Sequence, residues 1–546
     1  MEQIFSQEID HLGLVAAMYD TLGIGTVIDS VILQDMNNRN ISIGTIVKAL
    51  VINGLAFEQR TLYRLEDFFE RKPVEALLGK GVQSGFLNDS VVGRAMDQMY
   101  SVGTTSLFSA IAGMAFKVLG LEMESGHLDS TSVHADGEYN SDEDQLSATR
   151  IIITEGYSRD HRPELNQAIL NLIVDNVSGM PMFMKSASGN SSDKTDFREI
   201  LLENVKNLQN VHQIKYFVTD SAGYTSETIQ KISSLTLWVS RVPEVVSEAK
   251  AIIAGIDKSQ MKPFSGALVD SGYSYMAFSS SYAGVPQTWL VVHSREAYAR
   301  EIETLKKNTQ TNEKKEVVAF NKIASVEYAC AADALAAFEK FAKSCKTIGF
   351  DDPEIVEKHI YETKGRPKAG ALPAKTVYMI SADHATNIEA YRQKASKKGF
   401  FIVATNELDM GGEAEAKIFD IYKRQSKVEK GFRFLKDPQL MANTFFVNKP
   451  ERLDVFMMLM TISLLVYAAL EYQLRKALET NNQTVPTQVK NKTTNKPTMR
   501  WIFQLFQGIH FLYNGDREPV CLNVKEHQRT VIELMGGKFI ECYLLI

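Results

Sequence analysis

Cysteine is scarce in this chain: four in 546 residues, Cys330, Cys345, Cys521 and Cys542, with no CxxC pair and no Cys/His cluster among them. That argues against a disulfide framework or a zinc site and makes a reducing cytoplasm the expected compartment. The opening stretch MEQIFSQEIDHLGL has acids among its apolar residues and no basic segment, so no signal peptide is expected. No uncharged apolar run reaches the roughly 20 residues of a membrane span. The longest, Val455 to Leu470, includes Thr461 and Ser463 and reads as a buried core helix, so no membrane partner is expected. Net positive charge is missing as well: 60 Lys and Arg stand against 66 Asp and Glu, a balance of −6 that speaks against a surface gripping nucleic acid everywhere. There is no internal repeat.

What is present is enough apolar sequence for two to four domains. Residues 1–122 read as a helical N-terminal domain, with LGLVAAMYDTLGI, SIGTIVKALVINGLAF and SLFSAIAGMAFKVLGL at helical spacing. Binding to DNA ends, dimerisation and a purely structural cap are all open for it. From 123 to 243 three β-like runs, HLDSTSVHADG, LNQAILNLIVDNVSG and MPMFMKSASGN, precede the helix DKTDFREILLENVKNLQ, the strand IKYFVTD, the helix SETIQKISSL and the strand LWVSRVP. Three strands, helix, strand, helix, strand is the order of a ribonuclease H-like α/β fold with a mixed sheet. Residues 244–398 break the pattern and read as a mainly β insertion domain, with a polar helical region from Arg295 to Lys346 interrupted near Asn308 to Asn312. The strand GFFIVATNEL returns the chain to the core, whose second part spans 399–475. Residues 476–546 read as a C-terminal region, with a mobile basic linker over Asn481 to Pro497 (Lys490, Lys492, Lys496 and no acid), a helix over Trp501 to Leu512 and a small β-like tail.

Three carboxylates stand out by position. Asp129 lies in the first strand of the core and Asp220 ends the fourth, where α/β sheets gather their ligands. Glu429 lies in YKRQSKVEKGFRFLK, residues 422–436, where Tyr422, Glu429 and Lys436 are seven residues apart. At about 100° per residue all three point to one side of a single helix. The surroundings are basic: from Ile421 to Arg452 eight Lys and Arg face only Glu429, Asp437 and Glu451. Taken alone, the stretch also fits an amphipathic helix with solvated charges. Three converging carboxylates would repel one another unless a hard divalent cation joined them. Two such ions can activate a water and steady a leaving oxygen at a phosphodiester.

HLDSTSV, GYSRDHRPEL, FVTDSAG, FIVATNEL and Y-x2-Q-x3-E-x6-K together resemble the DDE transposases of the insertion-sequence group usually called IS4, most closely the IS1634 family. The likeness runs over nearly the whole chain, including TLYRLEDFFERKPVEALLG and LNDSVVGRAMD. It implies a ribonuclease H-like catalytic core interrupted between the second Asp and the Glu, and a catalytic, metal-binding triad of Asp129, Asp220 and Glu429 holding Mg2+ or Mn2+, as two ions. The family's Tyr-Arg-Glu-Lys signature falls on Tyr422, Gln425, Glu429 and Lys436, with glutamine where arginine is usual. Tyr422, Arg424, Arg433 and Lys436 are the implied phosphate contacts. The implied reaction is cut-and-paste transposition: hydrolytic nicking at the terminal inverted repeats of double-stranded DNA, hairpin formation, reopening and joining to target DNA, by a homodimer in a paired-end complex.

Arg159 and Arg162, beside the first β unit, are candidate DNA contacts or part of a solvated turn. Trp289 or Trp238 is a candidate platform for a flipped base, or core. Other functions remain open from residues alone: a ribonuclease H-like nuclease, a catalytically idle DNA-binding descendant, a non-enzymatic helical scaffold, or glycoside hydrolysis by paired acids, which gives no reason for the basic helix.

Overall fold

The computed structural model describes residues 4–58, 60–61, 64–135, 150–157, 162–265, 268, 271–362, 372–410, 413–436, 449–515 and 517–544. Its centre is a nine-stranded mixed sheet made of β1 (Ser125–His134), β2 (Gln167–Asp175), β3 (Pro181–Ser188), β4 (Tyr216–Thr219), β5 (Leu237–Arg241), β6 (Lys262–Pro263), β7 (Tyr273–Ser280), β8 (Gln287–Ser294) and β9 (Phe400–Thr405), in the order β3-β2-β1-β4-β5-β9-β8-β7-β6. β1 pairs antiparallel with β2 and parallel with β4, and β4 pairs parallel with β5. The succession expected from the sequence is the one seen, with helices Asp193–His212 and Ser226–Ile232 as the crossovers. β2 is buried along its whole length, so its apolar residues fall on both faces and do not alternate with exposed ones.

The two faces of the sheet are covered differently. Phe217, Trp238, Trp289 and Ile402 join the large core with Phe197, Leu201 and Val205 of the first crossover helix. On the alternate positions Val218, Val239, Leu290 and Val403 pack with Ile418, Phe419 and Ile421 of α1 (Ala414–Lys423), where Phe419 stacks on Phe264 with ring centroids 4.4 Å apart. Beyond it come α2 (Ser426–Leu435), which packs on β1, and α3 (Pro450–Thr480). By length and composition α3 could cross a membrane, yet 94% of its most apolar stretch is buried inside the protein. Its buried hydroxyls are satisfied within the helix, Thr461 Oγ1 donating to the Met457 carbonyl (2.8 Å) and Ser463 Oγ to that of Leu459 (3.0 Å). Buried Asp454 accepts from Thr104 Oγ1 (3.0 Å) and Ser186 Oγ (2.7 Å), tying the helical N-terminal region and β3 to α3.

Several expectations are corrected. The insertion is not mainly β: its first hairpin, β7–β8, extends the main sheet. Residues 295–398 then build a mixed α/β unit of helices Arg295–Ala324 and Ala331–Ser344 and the hairpin Ile348–Ile360/Lys375–Thr386 around Phe320, Phe338 and Ile380. The first of these helices runs straight through Asn308 to Asn312, because a polar stretch without Gly or Pro does not stop a helix; it ends at Ala324. Asn481 to Pro497 is no mobile linker. It holds a short pairing of Val485–Pro486 with Thr493–Thr494, pinned where Trp501 Nε1 donates to the Pro486 carbonyl (2.6 Å) and Arg475 Nε to that of Pro497 (2.8 Å). The helix expected over Trp501 to Leu512 stops at Leu505, and the tail ends in helices Glu526–Met535 and Gly537–Cys542. The two ends of the chain interlock: strand Ile4–Glu8 pairs with His510–Asn514, and Tyr543 sits fully buried against Gly13.

Candidate active site

β1, β4 and β5 set the site through their register. Leu128 is level with Thr219, and Thr219 with Ser240. One residue further along the parallel strands, Asp129, Asp220 and Arg241 form a row, on the side of the sheet that carries Val218 and Val239. Asp129 Oδ1 accepts from the Ser130 amide (2.8 Å), and Asp220 Oδ1 from the Ala222 amide (2.8 Å) as the strand turns. Gly223 closes that turn under constraint, since a Cβ there would sit 2.5 Å from Thr219 Oγ1. Both carboxylates are partly buried.

Across this row lies Tyr422, at the end of α1. Burial raises its hydroxyl pKa; Arg241 opposes the rise by its charge, and the charges of Asp220 and Glu429 add to it. One phenol therefore feels two of the expected acids and a guanidinium from β5. The Tyr422 ring lies 6.2 Å from that of Phe401, and the Arg241 Cζ is 5.6 Å from the same Phe401 ring.

The single helix expected over 422–436 is broken. The α-helical ladder of α1 ends at Lys423, the Gln425 amide bonds only three residues back to Tyr422 (3.1 Å), and α2 starts at Ser426. Tyr422 and Glu429 thus sit on separate helices, so the seven-residue spacing does not align them, and Lys436 caps the end of α2. Glu429 is exposed, with its side chain 58% accessible, and pairs with Arg433 at 3.6 Å. Arg424 is paired with Asp420 (2.5 Å).

Among the described residues no three His, Cys, Asp or Glu side chains lie close enough to share one metal ion. The donor set still suits a hard divalent cation. Asp129 and Asp220 are neighbouring oxygen donors on adjoining strands, and Glu429 stands near enough to Tyr422 for its charge to be felt there.

Other candidates fall elsewhere. Trp289 is corrected to core: it is fully buried, and its indole N–H donates to Gln287 Oε1 (3.0 Å). Trp238 is likewise buried, donating to Ser233 Oγ (2.9 Å). Arg162 pairs with Glu164, and Arg159 lies outside the described residues. Within FIVATNEL, Asn406 accepts from the Trp238 amide (2.9 Å) and Glu407 pairs with Lys215 (3.6 Å), both at the edge of the sheet opposite the row. Sequence reasoning missed Arg241. The signal lay in LWVSR, a strand of suitable length to run beside FVTD, but only the register shows that its arginine lies level with Asp220.

The sequence model of the family described as "Transposase DDE domain" matches residues 125–466, from the start of β1 into α3. The chain belongs to the DDE transposase family. It is a DNA transposase, an enzyme that cleaves DNA. A second family, described as a domain of unknown function (DUF4277), matches residues 4–113 of the transposase, within its helical N-terminal region. A solved structure that the transposase resembles is a piggyBac transposase synaptic complex with hairpin DNA, seen by cryo-electron microscopy. Identity is 10% and the TM-score 0.36, over 92% of this chain and 82% of that one. A comparison with curated proteins found no match.

Proposed function

We propose that this transposase moves an insertion sequence of the IS4 group, most like the IS1634 family, by cutting and rejoining DNA at terminal inverted repeats. The observation that carries the reading is the side-by-side placement of Asp129 and Asp220 on β1 and β4, with the helix bearing Glu429 packed on β1. These strands and their crossovers then form a ribonuclease H-like core, and Asp129, Asp220 and Glu429 are its acids. They would hold Mg2+ or Mn2+, as two ions. Bound there, the metal neutralises charge building on the phosphate and lowers the pKa of an attacking water or hydroxyl.

The remaining work falls to the protein's own groups. Lys436, Arg424, Arg433 and Tyr422 take up phosphate oxygens and hold the scissile bond in line with its attacker. Each step exchanges one P–O bond for another. Water first releases a 3′ hydroxyl at the element end, and that hydroxyl displaces the opposite strand to form a hairpin. Water reopens the hairpin, and the 3′ ends displace a target strand. Two ends must be processed together, which favours a homodimer.

The test is cleavage and joining of a duplex carrying the inverted repeats that flank the gene, with Mg2+ or Mn2+. Glu429→Gln and Asp220→Asn should abolish both reactions while end binding persists. Cleavage that survives Glu429→Gln would remove Glu429 from the site. Cleavage without joining would make the protein a nuclease. For Lys436→Ala the expected result is weaker binding and a shallower salt dependence.

A further inference from the structure

The geometry points to Arg241 as the guanidinium that holds a phosphate of the DNA strand beside Asp220, a role that rests on the reading of Asp220 and Glu429 proposed above. A site of clustered carboxylates repels a polyanion, so a cation must stand close to the acids for a phosphate to approach. Among the described side chains of the helical segment, three cations already have partners. Arg424 is engaged by Asp420 at 2.5 Å, Arg433 by Glu429 at 3.6 Å, and Lys423 Nζ donates to the Tyr273 hydroxyl at 2.6 Å. Position 425, between Tyr422 and Glu429, is a neutral glutamine.

Arg241 comes from the sheet instead. It extends the row on the far side of Asp220 from Asp129, at the end of β5, and is level with Val403 of β9. Two groups orient it: the Phe401 ring 5.6 Å from its Cζ and the Glu244 carboxylate 3.3 Å from Nη2, and its charge is felt at the Tyr422 phenol. Its side chain remains 41% exposed. A guanidinium has five N–H donors in a rigid fork, more than Glu244 uses, and that fork matches two phosphate oxygens. A group already held by a ring and a carboxylate loses less freedom when phosphate binds.

The experiment uses the full chain and the duplex of flanking inverted repeats, with Arg241→Ala, Arg241→Lys and Asp220→Asn beside wild type. Binding is followed by anisotropy against salt in EDTA, and cleavage is timed with Mg2+. Arg241→Ala should slow cleavage on the order of tenfold to a hundredfold and lower the log–log salt slope by about one. Arg241→Lys should keep the slope and recover part of the rate, since it retains the charge and loses the fork. Should Arg241→Ala melt early, Arg241→Gln takes its place. An Arg241→Ala enzyme with wild-type cleavage and slope overturns the role, and slower cleavage at unchanged slope overturns the phosphate contact. Asp220→Asn separates the two readings: if it is inactive while Arg241→Ala is wild-type, only the Arg241 role falls, and if it still cleaves, the site assignment falls with it.

Discussion

His11 is held between Phe503 and Phe57, ring centroids 4.3 and 4.8 Å away, with Nε2 donating to the Leu55 carbonyl at 3.0 Å. Its burial pushes the imidazole pKa down from 6.5 to about 4, because a charge there would lose its water. The unfolded chain therefore binds the proton more readily than the folded one. The stability that His11 contributes is present above pH 6.5 and is lost as the pH falls towards 4. At about 1.4 kcal/mol per unit, the loss is roughly 3 kcal/mol across that window. His11→Gln keeps a donor for Leu55 but has no titrating group. Urea melts at pH 7 and pH 4.5 should therefore show wild type losing about that much more stability than the variant; equal losses would mean His11 is reached by water.

The helices α1 and α2 show what the sequence does and does not carry at the scale of an element. Their apolar positions were legible, and so were the strands of the core, because buried strands and amphipathic helices leave periodic patterns. The break at Arg424 and Gln425 was not: both residues keep near-helical dihedrals and neither is Gly or Pro, so nothing local announces it. Arg241 was hidden for a different reason, since a strand register is a long-range property. The corrected terminal segment failed for a third: Val531, Ile532, Met535 and Phe539 read as apolar residues, and only their burial in the main core shows them to be helical faces. Where α2 meets α3, Gly431 is the tight point, since a Cβ there would lie 3.2 Å from Leu464 Cδ2. Gly431→Ala sets a gain in helix propensity of about 1 kcal/mol against that crowding and should be close to neutral. Gly431→Val, with a branched Cβ, should cost roughly 1–3 kcal/mol and lift α2 away from α3. Because α2 carries Glu429, the valine variant should also lose most of its DNA cleavage while still folding. Thermal melts and cleavage assays on the two variants check this, and a valine variant with full activity would show that α2 need not be seated for the reaction.

For the molecule as a whole, two long segments that look equally peripheral in sequence have opposite standing. Residues 499–544 place Ile502, Phe503, Phe506, Phe511, Phe539 and Tyr543 in the main core, and strand His510–Asn514 pairs with Ile4–Glu8. Removing them would strip the N-terminal helices of their packing partners. The excursion from 295 to 398 is different. It has its own small core of Phe320, Ala334, Phe338 and Ile380, and it leaves and returns at one point, where the Ser294 amide donates to the Gly399 carbonyl (2.9 Å) and His293 pairs with Phe400. β8 and β9 are already antiparallel neighbours there, so a tight Asn-Gly turn can join them. Replacing residues 296–397 by such a turn removes the Glu301–Lys398 ion pair (3.5 Å) and the Tyr298 contact with His293, both at the rim. It leaves Asp129, Asp220, Arg241 and Glu429 with their supporting strands. The shortened chain should therefore melt in one cooperative transition near the wild-type temperature, whereas a chain ending at residue 498 should be insoluble or molten. Calorimetry on both settles the comparison. If the shortened chain also retains nicking of the flanking repeats, the excursion serves a step outside the chemistry, such as holding DNA or a second copy; if it folds and does not nick, the excursion contributes to the cleavage step itself.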